Sequence, residues 1–184
     1  TKNNHQGAVA NISPISFISL EALVDSTATK TTPALFLLLD QLSDVRNFGA
    51  IIRTAECTGV DGIIIQKKGA APVTADTIKT SAGAAFKVPI AKVEHLKDAV
   101  FYLQASGIKI VSATEKTNKS VYDITFTEPI AIVMGSEDRG ITPSIIKASD
   151  YSAKIPLQGE IASLNVSVAC AVFLYEAVRQ RLEN

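Results

Sequence analysis

Ala34-Leu-Phe-Leu-Leu-Leu39, preceded by Pro33 and closed by Asp40, is apolar at every position. A strand without polar alternation is buried on both faces, as in a parallel sheet covered by helices on each side. Gln41 to Arg46 then form a polar loop. Asn47 suits a helix N-cap, Ala50, Ile51, Ala55 and Cys57 recur near helical spacing, and Gly59 suits the helix end. Gly62-Ile-Ile-Ile65 is a second short strand. Together these segments make one βαβ unit, whose crossover is right-handed.

The alternation continues outward from this unit. Thr74 or Asp76 opens a short helix that stops near Gly83. Phe86 to Val93 is extended, and Pro89 within it marks an edge strand. Glu94 to Ala105 is amphipathic, with Leu96, Ala99, Val100 and Leu103 on one face, and Gly107 ends it. Strands follow at Ile108 to Val111 and Ile130 to Met134. Pro143 starts a short helix through Lys147, Tyr151 to Leu157 is extended, and Ser163 to Leu182 is the longest helix. The expected fold class is therefore α/β, a mostly parallel sheet with helices on both faces. The final helix carries Leu164, Val166, Val168, Ala169, Ala171, Val172, Phe173 and Leu174 on more than one face. Such a helix is buried either under its own loops or, the preferred reading, against a second subunit.

Composition narrows the function classes. At 184 residues the chain is one domain, and 47% hydrophobic residues supply a sizeable core. Residues 1–32 read as a linker-like N-terminal segment and 33–184 as the domain. The first residue is Thr1 rather than Met, as expected of a piece of a longer protein. Lys+Arg and Asp+Glu both number 18. Zero net charge excludes coating of nucleic acid by bulk charge, so any such contact is a local patch. No basic start leads into an apolar run, and no apolar stretch reaches the ~20 residues of a membrane span. Cys57 and Cys170 read as core thiols rather than a disulfide framework. His5 and His95, the only histidines, stand far apart, so no metal set is expected.

Three segments are polar where a strand ends or a helix begins: Asn47-Phe-Gly-Ala-Ile-Ile-Arg53, Gly135-Ser-Glu-Asp-Arg-Gly140 and Ser163-Leu-Asn165. In open α/β sheets ligands bind at such junctions. Arg53, flanked by Ile51, Ile52 and Ala55, reads as partly buried. It either pairs with Glu56 or Asp44 or grips an oxyanion with its planar fork. Gly135 to Gly140 lacks both the Walker GKS/T and the GxGxxG pattern. It is a plain turn with a Glu137/Arg139 surface pair, or a loop that a ligand approaches. Ser163 is a natural N-cap. Asn165, poorly suited to an apolar helix, needs a hydrogen-bond partner.

Taken in order, these segments resemble the three motifs of the SpoU (TrmH-like) RNA 2′-O-ribose methyltransferases. The matching stretches are Asn47 to Glu56, Ile132 to Ile141, and Ile155-Pro-Leu157 with Ser163 to Val168. His5-Gln-Gly-Ala-Val9 and Ser81-Ala-Gly-Ala-Ala85 look most like the branch that methylates a guanosine of 23S rRNA. The resemblance implies a C-terminal trefoil knot, which composition and periodicity do not reveal. It implies S-adenosylmethionine held by backbone groups at Gly135, Ile155, Leu157 and Leu164, with no metal. It implies catalytic roles for Arg53, Asn47, Glu137, Ser163 and Asn165, with Glu137 as counter-charge to Arg53. It also implies a cytoplasmic homodimer without membrane contact, and an N-terminal RNA-binding domain absent from this chain. Arg46, Lys67, Lys68 and Lys87 are the candidate RNA contacts. The competing expectations are a tRNA substrate, a non-catalytic RNA-binding relative, and an unknotted nucleotide-binding α/β protein.

Overall fold

The computed structural model describes residues 13–183. In chain order the elements are α1 (Leu20–Asp25), β1 (Leu35–Leu39), α2 (Val45–Cys57), β2 (Gly62–Gln66), α3 (Ala75–Thr80), β3 (Ile90–Val93), α4 (Leu96–Ala105), β4 (Lys109–Ala113), β5 (Ile130–Met134), α5 (Pro143–Ala148), β6 (Tyr151–Ala153) and α6 (Val166–Leu182). The strands form one sheet in the order β3-β2-β1-β5-β4-β6, and every pairing is parallel.

All five residues of β1 are buried, as are all five of β5, its central neighbour. Their side chains alternate between two cores. Leu35, Leu37 and Leu39 face α2 and α6, whereas Phe36 and Leu38 face α1, α4 and α5. The uninterrupted apolar run is the consequence of this double coverage. Pro89 stands immediately before β3, an edge strand. Phe86, read as extended, lies instead in a 3-10 turn with its ring in solvent.

The stretch read as a linker contributes structure from residue 18 onward. Ile18 N donates to Ile90 O, and the Ser19 hydroxyl accepts from Ala22 N to cap α1. Leu23 is fully buried directly over Gly62, where an added Cβ would lie 2.3 Å from Leu23 Cδ1. His5 to Val9 lies outside the described residues.

Two helix starts differ from the sequence reading. Asp44 rather than Asn47 caps α2, its carboxylate accepting from Asn47 N at 2.7 Å. Asn165 rather than Ser163 caps α6, so that helix begins at Val166. In both cases the two residues are capping-competent, and the winner is the one placed to reach the free N–H groups two and three residues on. Cys57 is exposed on α2. Cys170 is buried, and loss of solvation pushes its thiol up to about 12, so it stays an inert protonated group.

Helix α6 spans the sheet from one strand edge to the other. At ~1.5 Å per residue its 17 residues cover roughly 25 Å. Near its C-terminus, Arg181 donates to four carbonyls: Pro33 O (2.7 Å), Phe126 O (2.9 Å), Ala34 O and Glu128 O (both 3.1 Å). Gln180 adds bonds to Ile124 O and Phe126 N, both 2.8 Å. These contacts fasten the helix to the amino ends of β1 and β5, and so hold its other end at their carboxyl edge. Arg181→Ala should lower stability by about 2 kcal/mol, since three part-buried carbonyls lose a charged donor. Arg181→Lys should recover only part, because an ammonium cannot span the four acceptors. Urea midpoints at unchanged slope measure both.

Candidate functional site

The three polar segments meet at the N-terminus of α6. Asn165 uses both ends of its carboxamide. Its Oδ1 accepts from Ser167 N (2.9 Å), Ser167 Oγ (2.6 Å) and Val168 N (3.4 Å), satisfying groups that every helix start leaves open. Its Nδ2 donates to Glu137 Oε1 at 2.6 Å and to Asn47 Oδ1 at 3.0 Å. Glu137 Oε1 also accepts from Val166 N at 3.3 Å. A carboxylate at this end of α6 is further favoured by the helix dipole. One side chain from each segment is thus joined in a single hydrogen-bonded hub.

Beside the hub lies a cleft of about 600 Å³. Its floor is the carboxyl ends of β4, β5 and β6, at Ala113, Met134 and Ala153. Gly135, Ile155, Leu157 and Leu164, the four expected cofactor positions, all line it, together with Glu137, Ser163 and Asn165. Gly135 must be glycine. A Cβ there would sit 2.1 Å from the Gly140 carbonyl carbon, because the loop closes on itself through Gly140 N to Ser136 O (2.9 Å). The backbone of residues 155–164 makes no hydrogen bond with other described residues, so its donors and acceptors are open to a ligand. A cleft of this size, with apolar lining and uncommitted main chain, fits a nucleoside-bearing cofactor such as S-adenosylmethionine. Leu157 and Leu164 are partly exposed there, as an apolar wall awaiting a ligand would be.

Arg53 and Asn47 lie outside the cleft lining, and Arg53 differs from its expected state. It is exposed, not partly buried: α2 buries Phe48, Ile51, Ile52 and Ala55, which leaves Arg46, Arg53 and Cys57 on the solvent face. Neither expected carboxylate partner is available. Asp44 caps α2, and Glu56 holds Lys87 at 2.8 Å. Glu137 is not its counter-charge either, being committed to Asn165 and the start of α6. The guanidinium has no ion-pair partner among the described residues.

The expected RNA contacts divide. Lys67 is paired with Glu94 and Lys87 with Glu56, whereas Lys68 and Arg46 are exposed and unpaired. Sequence reading missed Asp40 and Gln41, which follow β1 and hold Thr142 just after the Gly135–Gly140 loop. It also missed Lys116 and Lys154, cations that line the cleft. Nothing in their spacing marks them. Among the described residues no group of three His, Cys, Asp or Glu is placed to hold a metal, and no helix is long and apolar enough to cross a membrane.

A fully parallel sheet with a polar-rimmed cleft over the carboxyl ends of β5, β4 and β6 defines a cofactor-binding α/β protein. Residues 34–175 match the model of the SpoU rRNA Methylase family, and the chain belongs to that family. It is 40% identical over 179 residues to the 23S rRNA (guanosine-2′-O-)-methyltransferase RlmB of Vibrio vulnificus, covering 97% of this chain and 72% of that protein. Among solved structures it resembles the SpoU methyltransferase AviRb from Streptomyces viridochromogenes in complex with AdoMet, at TM-score 0.78 and 31% identity. That match covers 87% of this chain and 65% of that one. It also resembles the A. aeolicus TrmH/SpoU tRNA modifying enzyme, at TM-score 0.75 and 29% identity, over 89% of this chain and 83% of that one.

The hub requires a group that donates and accepts at once. Asn165→Asp keeps a good N-cap but sets a second carboxylate against Glu137. That carboxyl's pKa should rise in the folded state, so its contribution to stability is present at low pH and lost as pH rises through the raised value. Denaturation should show Asn165→Asp near wild type at pH 4 and at least about 1 kcal/mol weaker at pH 7. A pH-independent deficit would contradict the contact.

Proposed function

We propose that this domain transfers the methyl group of S-adenosylmethionine to a ribose 2′-hydroxyl of RNA, and that the acceptor is a guanosine of 23S rRNA. The observation that carries the reading is the hub itself. Three segments far apart in sequence, each matching a motif of one methyltransferase family, converge through Asn165 beside a cleft that fits the cofactor. The AdoMet complex of AviRb supports the choice of cofactor, and the 23S rRNA activity named for RlmB supports the choice of acceptor.

The bound cofactor supplies an electrophilic methyl group. Gly135, Ile155, Leu157 and Leu164 hold it through backbone groups and apolar contact. The ribose hydroxyl is a poor nucleophile, so the protein must align it and stabilise charge developing on its oxygen. Arg53 performs that role as a permanent cation and also holds the neighbouring phosphate. A guanidinium resists deprotonation, which argues against its acting as a base. Asn47 and Arg53 are six residues apart on α2, roughly 9 Å along the axis, so they bracket the ribose rather than stack. Glu137, Ser163 and Asn165 fix the cleft end of that bracket.

The active form is a homodimer. Val168, Tyr175 and Leu182 are exposed along one side of α6, with Ala171 and Val172 half-buried between them. This apolar stripe has no cover among the described residues and continues toward Ile161 and Leu164 at the cleft. The chain path after β6, back across the strand ends to α6, accommodates the trefoil knot of the family. An rRNA substrate places the protein in the cytoplasm.

Arg53→Ala should reduce methylation of unmodified 23S rRNA at least 10²-fold while S-adenosylmethionine affinity by calorimetry stays within about twofold. Near-normal turnover would refute the role. Preferential methylation of tRNA would redirect the substrate, and no cofactor binding at millimolar concentration would favour a non-catalytic RNA-binding module. Val168→Asp should convert the dimer to monomer in sedimentation velocity, whereas Arg53→Ala should leave the dimer intact.

A further inference from the structure

Gln41 has φ of +56°, one of two non-glycine residues with positive φ among those described. Glycine would adopt this conformation without strain, so keeping a glutamine calls for a reason in its side chain. That side chain grips the C-terminal end of the Gly135–Gly140 loop. Gln41 Nε2 donates to Thr142 Oγ1 at 2.9 Å, and Arg139 Nη1 donates to Gln41 Oε1 at 3.4 Å. The adjoining Asp40 is buried and accepts from Thr142 N at 2.6 Å, while its own N–H donates to Met134 O at 2.8 Å. The turn after β1 therefore braces the turn after β5.

Arg139 is exposed at the rim of the cleft. Its one side-chain partner is the neutral amide of Gln41, and no carboxylate lies within ion-pairing reach among the described residues. The sequence offered Glu137 as its partner, but Glu137 is committed to Asn165 and Val166. A guanidinium aimed by a neutral acceptor, with its charge uncompensated and most of its N–H groups open, is an anion receptor. It leans on the loop that leads into α2, whose solvent face carries the equally unpaired Arg46 and Arg53. In a chain of zero net charge, exposed and unpaired arginines supply the attraction that bulk charge does not.

We propose that Arg139 grips a phosphodiester of the RNA substrate and that Gln41 is the positioning residue that aims it. This inference rests on the reading of the domain as an RNA methyltransferase. The test uses the 184-residue chain, S-adenosylmethionine and an unmodified 23S rRNA transcript. It compares wild type, Arg139→Ala, Gln41→Gly and the double variant. Arg139→Ala should raise KM for the transcript about 10-fold, with the larger share of the lost kcat/KM in KM. It should also reduce the slope of log affinity against log salt by about 1. Gln41→Gly removes both side-chain bonds but relieves the backbone, so its melting temperature stays near wild type while KM rises several-fold. The double variant should be no worse than Arg139→Ala, because Gln41 acts through that guanidinium.

Additive losses in the double variant, or a wild-type KM in Gln41→Gly, would overturn the positioning role. Weakened S-adenosylmethionine binding at unchanged RNA KM would assign the guanidinium to the cofactor carboxylate and overturn the phosphodiester. Wild-type behaviour of Arg139→Ala in a chain that does methylate RNA overturns this inference alone. A wild-type chain that methylates no RNA overturns the functional reading and this inference with it.

Discussion

A single carboxamide organises this molecule's working end. Asn165 caps the helix that follows it with one atom and ties down Glu137 and Asn47 with the other. An aspartate could cap but not donate, and a serine is too short to bridge two partners. The rest of the architecture presents these groups to one another. β1 leads into α2 and Asn47, β5 delivers Glu137, and the return of the chain after β6 brings Asn165 between them.

The parallel sheet makes this convergence possible. Every strand ends on the same edge, so each loop that follows a strand contributes to one rim. Helix α6 fixes depth and orientation, because it is anchored at both ends. Its far end is clamped by Arg181 to main-chain carbonyls before β1 and β5, and its near end is capped at the hub. The side chains in between, among them Phe173, Leu174 and Ala177, lie in the same core as the inward faces of β1 and β5. The cleft is rigid where it meets the sheet, and it is open along residues 155–164, where the backbone is uncommitted.

Much of this was legible in the residues. The apolar runs at β1 and β5 announce double coverage, and the alternation of strands with helices announces a parallel sheet. The order of the three polar segments carried the site. The misreadings are local and have physical reasons. Two capping-competent residues stood three apart before α2 and two apart before α6, and propensity does not choose between such neighbours. Arg53 looked buried because its sequence neighbours are apolar. Helical geometry decides instead, and it puts residue 53 on the outer stripe with residues 46 and 57. Helix α1 was passed over because it lies within residues 1–32, read as a linker-like segment. Gln41 was invisible because its left-handed backbone carries no glycine to advertise it. The trefoil knot is an expectation of the family resemblance alone, since threading leaves no trace in periodicity.

The hub also says something about how the chain reaches its working state. Asn47 and Asn165 are 118 residues apart, and the clamp from Arg181 to Pro33 closes a span of 148. Contacts of such separation form late, because the intervening chain must be ordered before they can gain anything. During synthesis from the N-terminus, β1 and α2 exist long before the segment that completes them has been made. The nascent protein is therefore without its cleft until α6 has been made and has docked. Catalytic competence therefore waits on α6, whatever the state of the strands and helices made before it.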